Sequence, residues 1–102
     1  MKKDKYSIRF LGIAEEDLIE IVSYIALDNT VTAEKLADKI EENILLLETN
    51  PFLGNKLREL EFRNFNYYYL IVDNYLIFYT IENKIVLIHR ILHSAKDYKS
   101  IL

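Results

Sequence analysis

Residues 65–92 read FNYYYLIVDNYLIFYTIENKIVLIHRIL, and the fold turns on how that stretch is divided. Three runs rich in β-branched and aromatic side chains, Phe65–Val72, Tyr75–Ile81 and Ile85–Leu92, are separated only by Asp73-Asn74 and Glu82-Asn83-Lys84. Such side chains suit a pleated, half-buried surface, and polar gaps of two or three residues between such runs are hairpin signals. The stretch predicts a three-stranded antiparallel meander. Tyr75-Leu76-Ile77-Phe78-Tyr79 is apolar at both parities, so both faces of the sheet need covering. Helices can cover one face; the chain's own tail, a second copy or a partner is left for the other.

Upstream of the meander the pattern changes at Asn50-Pro51-Phe52-Leu53-Gly54. Pro51 disfavours the helical conformation at Asn50 and cannot itself continue a helical ladder, so a helix ends there. Before it, Ala33, Leu36, Ala37, Ile40, Ile44 and Leu47 form one helical stripe, predicting a helix over residues 31–49 that Thr30 or Thr32 caps. Leu18, Ile21, Val22 and Ile25 mark an earlier helix over 13–27, with Gly12 as its N-cap and Glu15, Glu16 and Asp17 in its first turns. Only a few residues around Asp28-Asn29 join the two, so they pair as an antiparallel hairpin. Residues 5–11 alternate as a first strand, and 55–64 read as an irregular charged connection. The fold class is α+β: an N-terminal strand, a two-helix hairpin, then the meander, in a single domain over residues 1–102.

The chain of 102 residues is 51% hydrophobic and 13% aromatic, which supports one packed core and excludes disorder. Without cysteine, neither a disulfide nor a thiolate metal site can form. No apolar run reaches the roughly 20 residues of a spanning helix, and none of signal-peptide length follows the basic start, so no membrane association and a cytoplasmic location are expected. The net charge is -3, unevenly spread: residues 11–50 carry a net -8, whereas 1–10 and 84–102 each carry +3. Acidic side chains are expected on the exposed faces of the helices, with Arg90, Lys96 and Lys99 clustered elsewhere, free to meet an anion.

Four runs occur in an order that resembles the RelE/ParE toxin superfamily. Ala14–Ala26 resembles its first helix, A-x-x-D-L-x-x-I-x-x-Y-I, and Leu47–Gly54 its L-x-x-x-P-x-x-G exit from the second. Val72–Tyr79 is similar to the hairpin V-x-N-Y-x-I-F-Y, and Ile88–Tyr98 to I-x-R-I-L-H-G-x-R-D-[YW]. Together they cover about 85 residues, and the ending is closer to the ParE, plasmid-stabilisation side. The chain departs from the pattern at Tyr68, where an arginine is common, at Ser94 in place of glycine, and at Lys96 in place of arginine. A lysine keeps the charge but loses the bidentate geometry.

The resemblance implies the toxin half of a type II toxin–antitoxin pair, with a cognate antitoxin protein as partner and a homodimer as an option. It implies one of two targets. A ParE-like toxin arrests growth by binding DNA gyrase, without chemistry of its own; a RelE-like toxin is a metal-independent endoribonuclease that cuts mRNA on the ribosome. A third option is an inactive member that only binds its antitoxin. No cofactor and no metal are implied, and the only histidines, His89 and His93, have no neighbouring carboxylate pair. If the chain cuts RNA, the reaction needs a proton shuttle and cations for the phosphate. His93 is the candidate acid or base, since a histidine ordinarily titrates near 6.5. Arg90 and Tyr98 complete the catalytic set. Lys56, Arg58, Arg63 and Lys96 are the candidate target- or phosphate-binding cations. Each has a blander role open to it. His93 can end a strand on a backbone hydrogen bond, and Lys56, Arg58 and Arg63 can sit in a solvated loop. Arg90, at the parity of Val86, Ile88 and Leu92, can be a half-buried partner of a helix carboxylate.

Overall fold

A computed structural model describes residues 5–59 and 64–102. The elements follow the expected order: β1 (Ser7–Phe10), α1 (Gly12–Ala26), α2 (Thr30–Leu45) continued by a 3-10 turn (Leu46–Glu48), β2 (Asn55–Lys56), β3 (Tyr68–Val72), β4 (Tyr75–Glu82) and β5 (Ile85–His93). A second 3-10 turn (Tyr98–Ser100) lies near the C-terminus. The caps differ from expectation. Leu11, not Gly12, precedes α1, and it is Asn29 whose side chain accepts the Thr32 N–H at 3.0 Å to cap α2. Asn29 is the better cap because its carbonyl reaches the third helical amide while its backbone stays extended.

β3, β4 and β5 form the antiparallel meander, and the whole sheet runs β1-β5-β4-β3-β2. β1 lies parallel to β5 at one border, and the two-residue β2, inside the segment expected to be irregular, pairs with β3 at the other. β3 starts at Tyr68 rather than residue 65, after a turn in which Asn66 takes a left-handed φ of 52°. The β4–β5 connection is two residues long. Asn83 and Lys84 both have positive φ, the signature of a type I′ turn whose twist matches the strands.

Two apolar clusters flank the sheet. Ala14, Leu36, Ile40, Ile44 and Leu47 of the helical layer pack on Leu70, Val72, Ile77, Tyr79, Val86, Ile88 and Ile91. On the other side Phe78, Leu92 and Leu57 are covered by Tyr69, Tyr98, Ile101 and Leu102. The chain's own tail thus closes the second face that the doubly apolar strands left open. One register shift matters for the site. Tyr79 faces Ile88 while Phe78 faces Arg90, so His89 is an extra residue bulged out of β5. The bulge breaks the parity read from the sequence. Val86 and Ile88 enter the helix-side cluster and Leu92 the opposite one, so Arg90, which faces Phe78, falls on the side of Leu92 and leaves the row of Val86 and Ile88.

Candidate functional site

β1 accompanies β5 only as far as Ile88, after which the chain turns into α1. That leaves the outer edge of β5 beyond the bulge without a strand, and Asp17 of α1 occupies the place. Its carboxylate takes Arg90 in a fork, Nε to Oδ2 at 2.7 Å and Nη2 to Oδ1 at 2.8 Å, and Oδ2 also accepts the Ile91 N–H at 3.0 Å. Both side chains are largely shielded, at 18% and 11% exposure. The hydrogen bond to Asp17 pushes the Arg90 pKa above its ordinary value, so the guanidinium keeps its charge.

The pair floors one end of a groove of about 410 Å³ between α1 and the ends of β4 and β5. Tyr24, Tyr75 and Ile101 supply its apolar walls, and Glu20, His93 and Lys96 its remaining polar groups. Tyr24 is 77% exposed, so it stands up from the helix as an unfilled aromatic surface. His93 ends β5, its ring edge-on to Tyr75 at 5.4 Å. Its Nδ1 accepts the Ala95 N–H at 3.0 Å, which leaves the proton of the neutral ring on Nε2. The free nitrogen of the neutral ring is therefore a donor, which suits holding an acceptor and does not suit taking a proton.

The other nominated residues lie elsewhere. Lys56 and Arg58, both exposed, line a second hollow with Glu59 and Tyr69. Tyr98 belongs to that side: its ring lies tilted against Phe78 at 5.1 Å, and its hydroxyl donates to Glu59 Oε1. Arg63 falls outside the described residues. The structure therefore brings Arg90, His93 and Lys96 together in one groove and places Lys56 and Arg58 in another hollow. Tyr98 packs on Phe78, the cross-strand partner of Arg90, in the cluster whose Leu92 and Ile101 also line the groove. It also corrects the expected charge separation. Arg90 is bound to a helix carboxylate, and Lys96 shares its groove with Asp17 and Glu20, so these cations do not cluster apart from the acidic helices.

Sequence reasoning did not nominate Glu20, Tyr24 or Tyr75. Their signal was faint: Glu20 and Tyr24 sit one turn apart on α1, beside Asp17 and Ile21, a polar and aromatic edge next to the apolar stripe. Tyr68, where the resemblance leads one to look for arginine, stacks on Tyr79 at 5.6 Å and meets Phe52 edge-on at 5.8 Å. It packs against the core.

A family model described as the ParE toxin of the type II toxin–antitoxin system parDE matches residues 8–98. Among solved structures, the chromosomal ParDE toxin–antitoxin system from P. aeruginosa superposes with a TM-score of 0.71 at 20% identity, covering 89% of this chain and 98% of that one. The RelBE2 toxin–antitoxin complex from Mycobacterium tuberculosis gives 0.63 at 21% identity, covering 93% and 98%. At these identities the likeness is one of fold. No curated protein matches.

Proposed function

The chain belongs to the ParE toxin family of type II toxin–antitoxin systems, and from that premise we propose that it arrests growth by binding DNA gyrase through the α1–β5 groove. On this reading it performs no bond cleavage and is held inactive by a cognate antitoxin. The observation that carries the reading is the state of Arg90. With its fork closed on Asp17, the best-placed guanidinium is not available to a scissile phosphate. His93 points the same way, since its neutral ring presents a donor, and the Tyr98 hydroxyl is engaged with Glu59. What the groove does offer is an exposed tyrosine, aliphatic walls and a few charges. Protein interfaces are enriched in such aromatic anchors.

A second reading, the ribosome-dependent ribonuclease, draws on the other hollow, where Lys56 and Arg58 are exposed beside Tyr69. The two readings separate in one experiment. Purified protein is added in parallel to gyrase acting on relaxed plasmid and to ribosomes translating a defined mRNA. Loss of supercoiling with intact mRNA is expected. Cleaved mRNA with unimpaired supercoiling would overturn the gyrase reading.

A further inference from the structure

The α1–β5 groove carries two charges of opposite sign that its own residues leave uncommitted. Glu20 stands on α1 beside Asp17 and Tyr24, and Lys96 on the turn that follows β5. Both are exposed, and among the described residues neither is held in an ion pair. The turn that carries Lys96 is fixed from two sides. The Lys96 N–H donates to the His93 carbonyl at 2.9 Å, and the Ser94 N–H donates to the Asn74 carbonyl at 2.7 Å. The neutral His93 ring offers its Nε2 proton to the same groove, since the Ala95 N–H occupies Nδ1. The rest of the lining is apolar or paired with itself: Tyr24 is 77% exposed, Tyr75 is half-buried, and the Asp17–Arg90 fork is closed.

We infer that the partner segment seated in this groove is an amphipathic polypeptide: an apolar side chain against Tyr24 and Tyr75, a carboxylate on Lys96 and His93 Nε2, and a cation on Glu20. The inference rests on the gyrase reading for who supplies the segment, and deepens it by naming the segment's chemistry. A carboxylate fits the Lys96 end, because an ammonium and a ring N–H both donate and neither accepts. Glu20 calls for the opposite sign, and a like charge set against it is repelled. The aromatic walls supply the anchor, as tyrosines do at the centre of protein interfaces. Nucleic acid fits the same lining poorly. A phosphate backbone gains from several cations along its path, whereas here Lys96, the one lysine of the lining, shares the groove with the Glu20 carboxylate.

The test uses the full chain, labelled for amide resolution, and three end-blocked peptides with a leucine–phenylalanine–leucine centre. The flanks are neutral glutamine in the first, a single glutamate in the second and a single lysine in the third. Each charged peptide is expected to shift the Tyr24, His93 and Lys96 signals with about threefold higher affinity than the neutral one, a gap that added salt closes. Lys96→Gln should abolish the advantage of the glutamate peptide and spare that of the lysine peptide. Glu20→Gln should do the reverse, with folding of both variants checked by their thermal melts. Should a variant not fold, the three peptides on the unaltered chain still decide. Equal affinity for all three would overturn the inference, as would either substitution removing both advantages. Tighter binding of a single-stranded oligonucleotide at the same signals would overturn it too, and so would shifts that grow with protein concentration when no peptide is present. Supercoiling by gyrase is measured beside these titrations with the unaltered chain. The crossed peptide pattern without loss of supercoiling would overturn the gyrase reading alone. Loss of supercoiling without the pattern would overturn the inference alone.

Discussion

Asp17 does two jobs with one carboxylate, and both follow from where β1 ends. It neutralises Arg90 and it receives the Ile91 amide that would otherwise face outward without a strand. Removing it leaves a shielded guanidinium and a backbone donor unpaired, which costs more than the pair's net contribution. Asp17→Ala is expected to lower stability by about 2–3 kcal/mol in urea unfolding. Adding Arg90→Met to it should recover part of the loss, because the stranded charge is then gone. Full additivity of the two substitutions would show that they do not act through each other. His89 sets a second residue-scale expectation. Burial pushes its pKa below the ordinary histidine value, and its Nε2 lies 2.9 Å from Thr80 Oγ1. The unfolded chain takes up the proton near pH 6.5, above the folded value. The stability His89 contributes is therefore fully present above about pH 6.5 and is lost as the pH falls below it. Urea midpoints measured from pH 7.5 down to 5.5 should decline, and His89→Gln should flatten that part of the slope.

Between elements, the motif residues hold one another. The turn leaving α2 is pinned to β4 by the Tyr79 hydroxyl, which donates to the Pro51 carbonyl at 2.9 Å and accepts the Gly54 N–H at 2.9 Å. Burial raises the Tyr79 pKa, which keeps that hydroxyl protonated and able to donate. A Cβ on residue 54 would come within 2.6 Å of the hydroxyl and 2.7 Å of the Tyr69 carbonyl. Gly54→Ala should therefore destabilise by about 1–3 kcal/mol. Combined with Tyr79→Phe it should cost less than the sum, since the phenylalanine removes one of the colliding atoms. Asp17 and Arg90 join α1 to β5 in the same manner, and the Asn74 carbonyl receives the Ser94 amide at 2.7 Å. This is why the helices, the meander and their order were legible in the sequence, while the site was not. Pro51, Gly54, Tyr79, Asp17 and Arg90 report which surfaces meet, and they would do so whatever the target. The parallel pairing of β1 with β5 was hidden because strand alternation carries no information about neighbours. The bulge at His89 was hidden because parity counting assumes an unbroken ladder. Tyr68 illustrates the limit from the other direction. Its ring fills a place between Phe52 and Tyr79, so Tyr68→Arg is expected to lower the melting temperature rather than to install a phosphate contact.

At the scale of the whole molecule, the groove and the hollow are lined by different residues, and the way toxicity responds to substitution tells which of them acts. Acid–base catalysis concentrates its effect in one residue, where loss of the proton carrier typically costs 10²–10⁴-fold. A binding surface spreads its effect, with few side chains costing much alone and an aromatic anchor costing most. The groove predicts the second pattern. Tyr24→Ala should relieve growth arrest most, His93→Ala and Lys96→Ala each only in part, and the three together fully, with all variants folded by their thermal melts. Tyr98→Phe, which removes the hydroxyl bonded to Glu59 and keeps the ring on Phe78, should leave growth arrest intact. The same induced cultures report mRNA integrity and the DNA-damage response. Arrest with intact mRNA and an induced damage response, graded across the groove variants, is the expected outcome. A loss concentrated in Tyr98→Phe or in Lys56 and Arg58 variants, with cleaved mRNA in the unaltered chain, would move the function to the other hollow. No arrest from the folded protein would leave antitoxin binding as its activity.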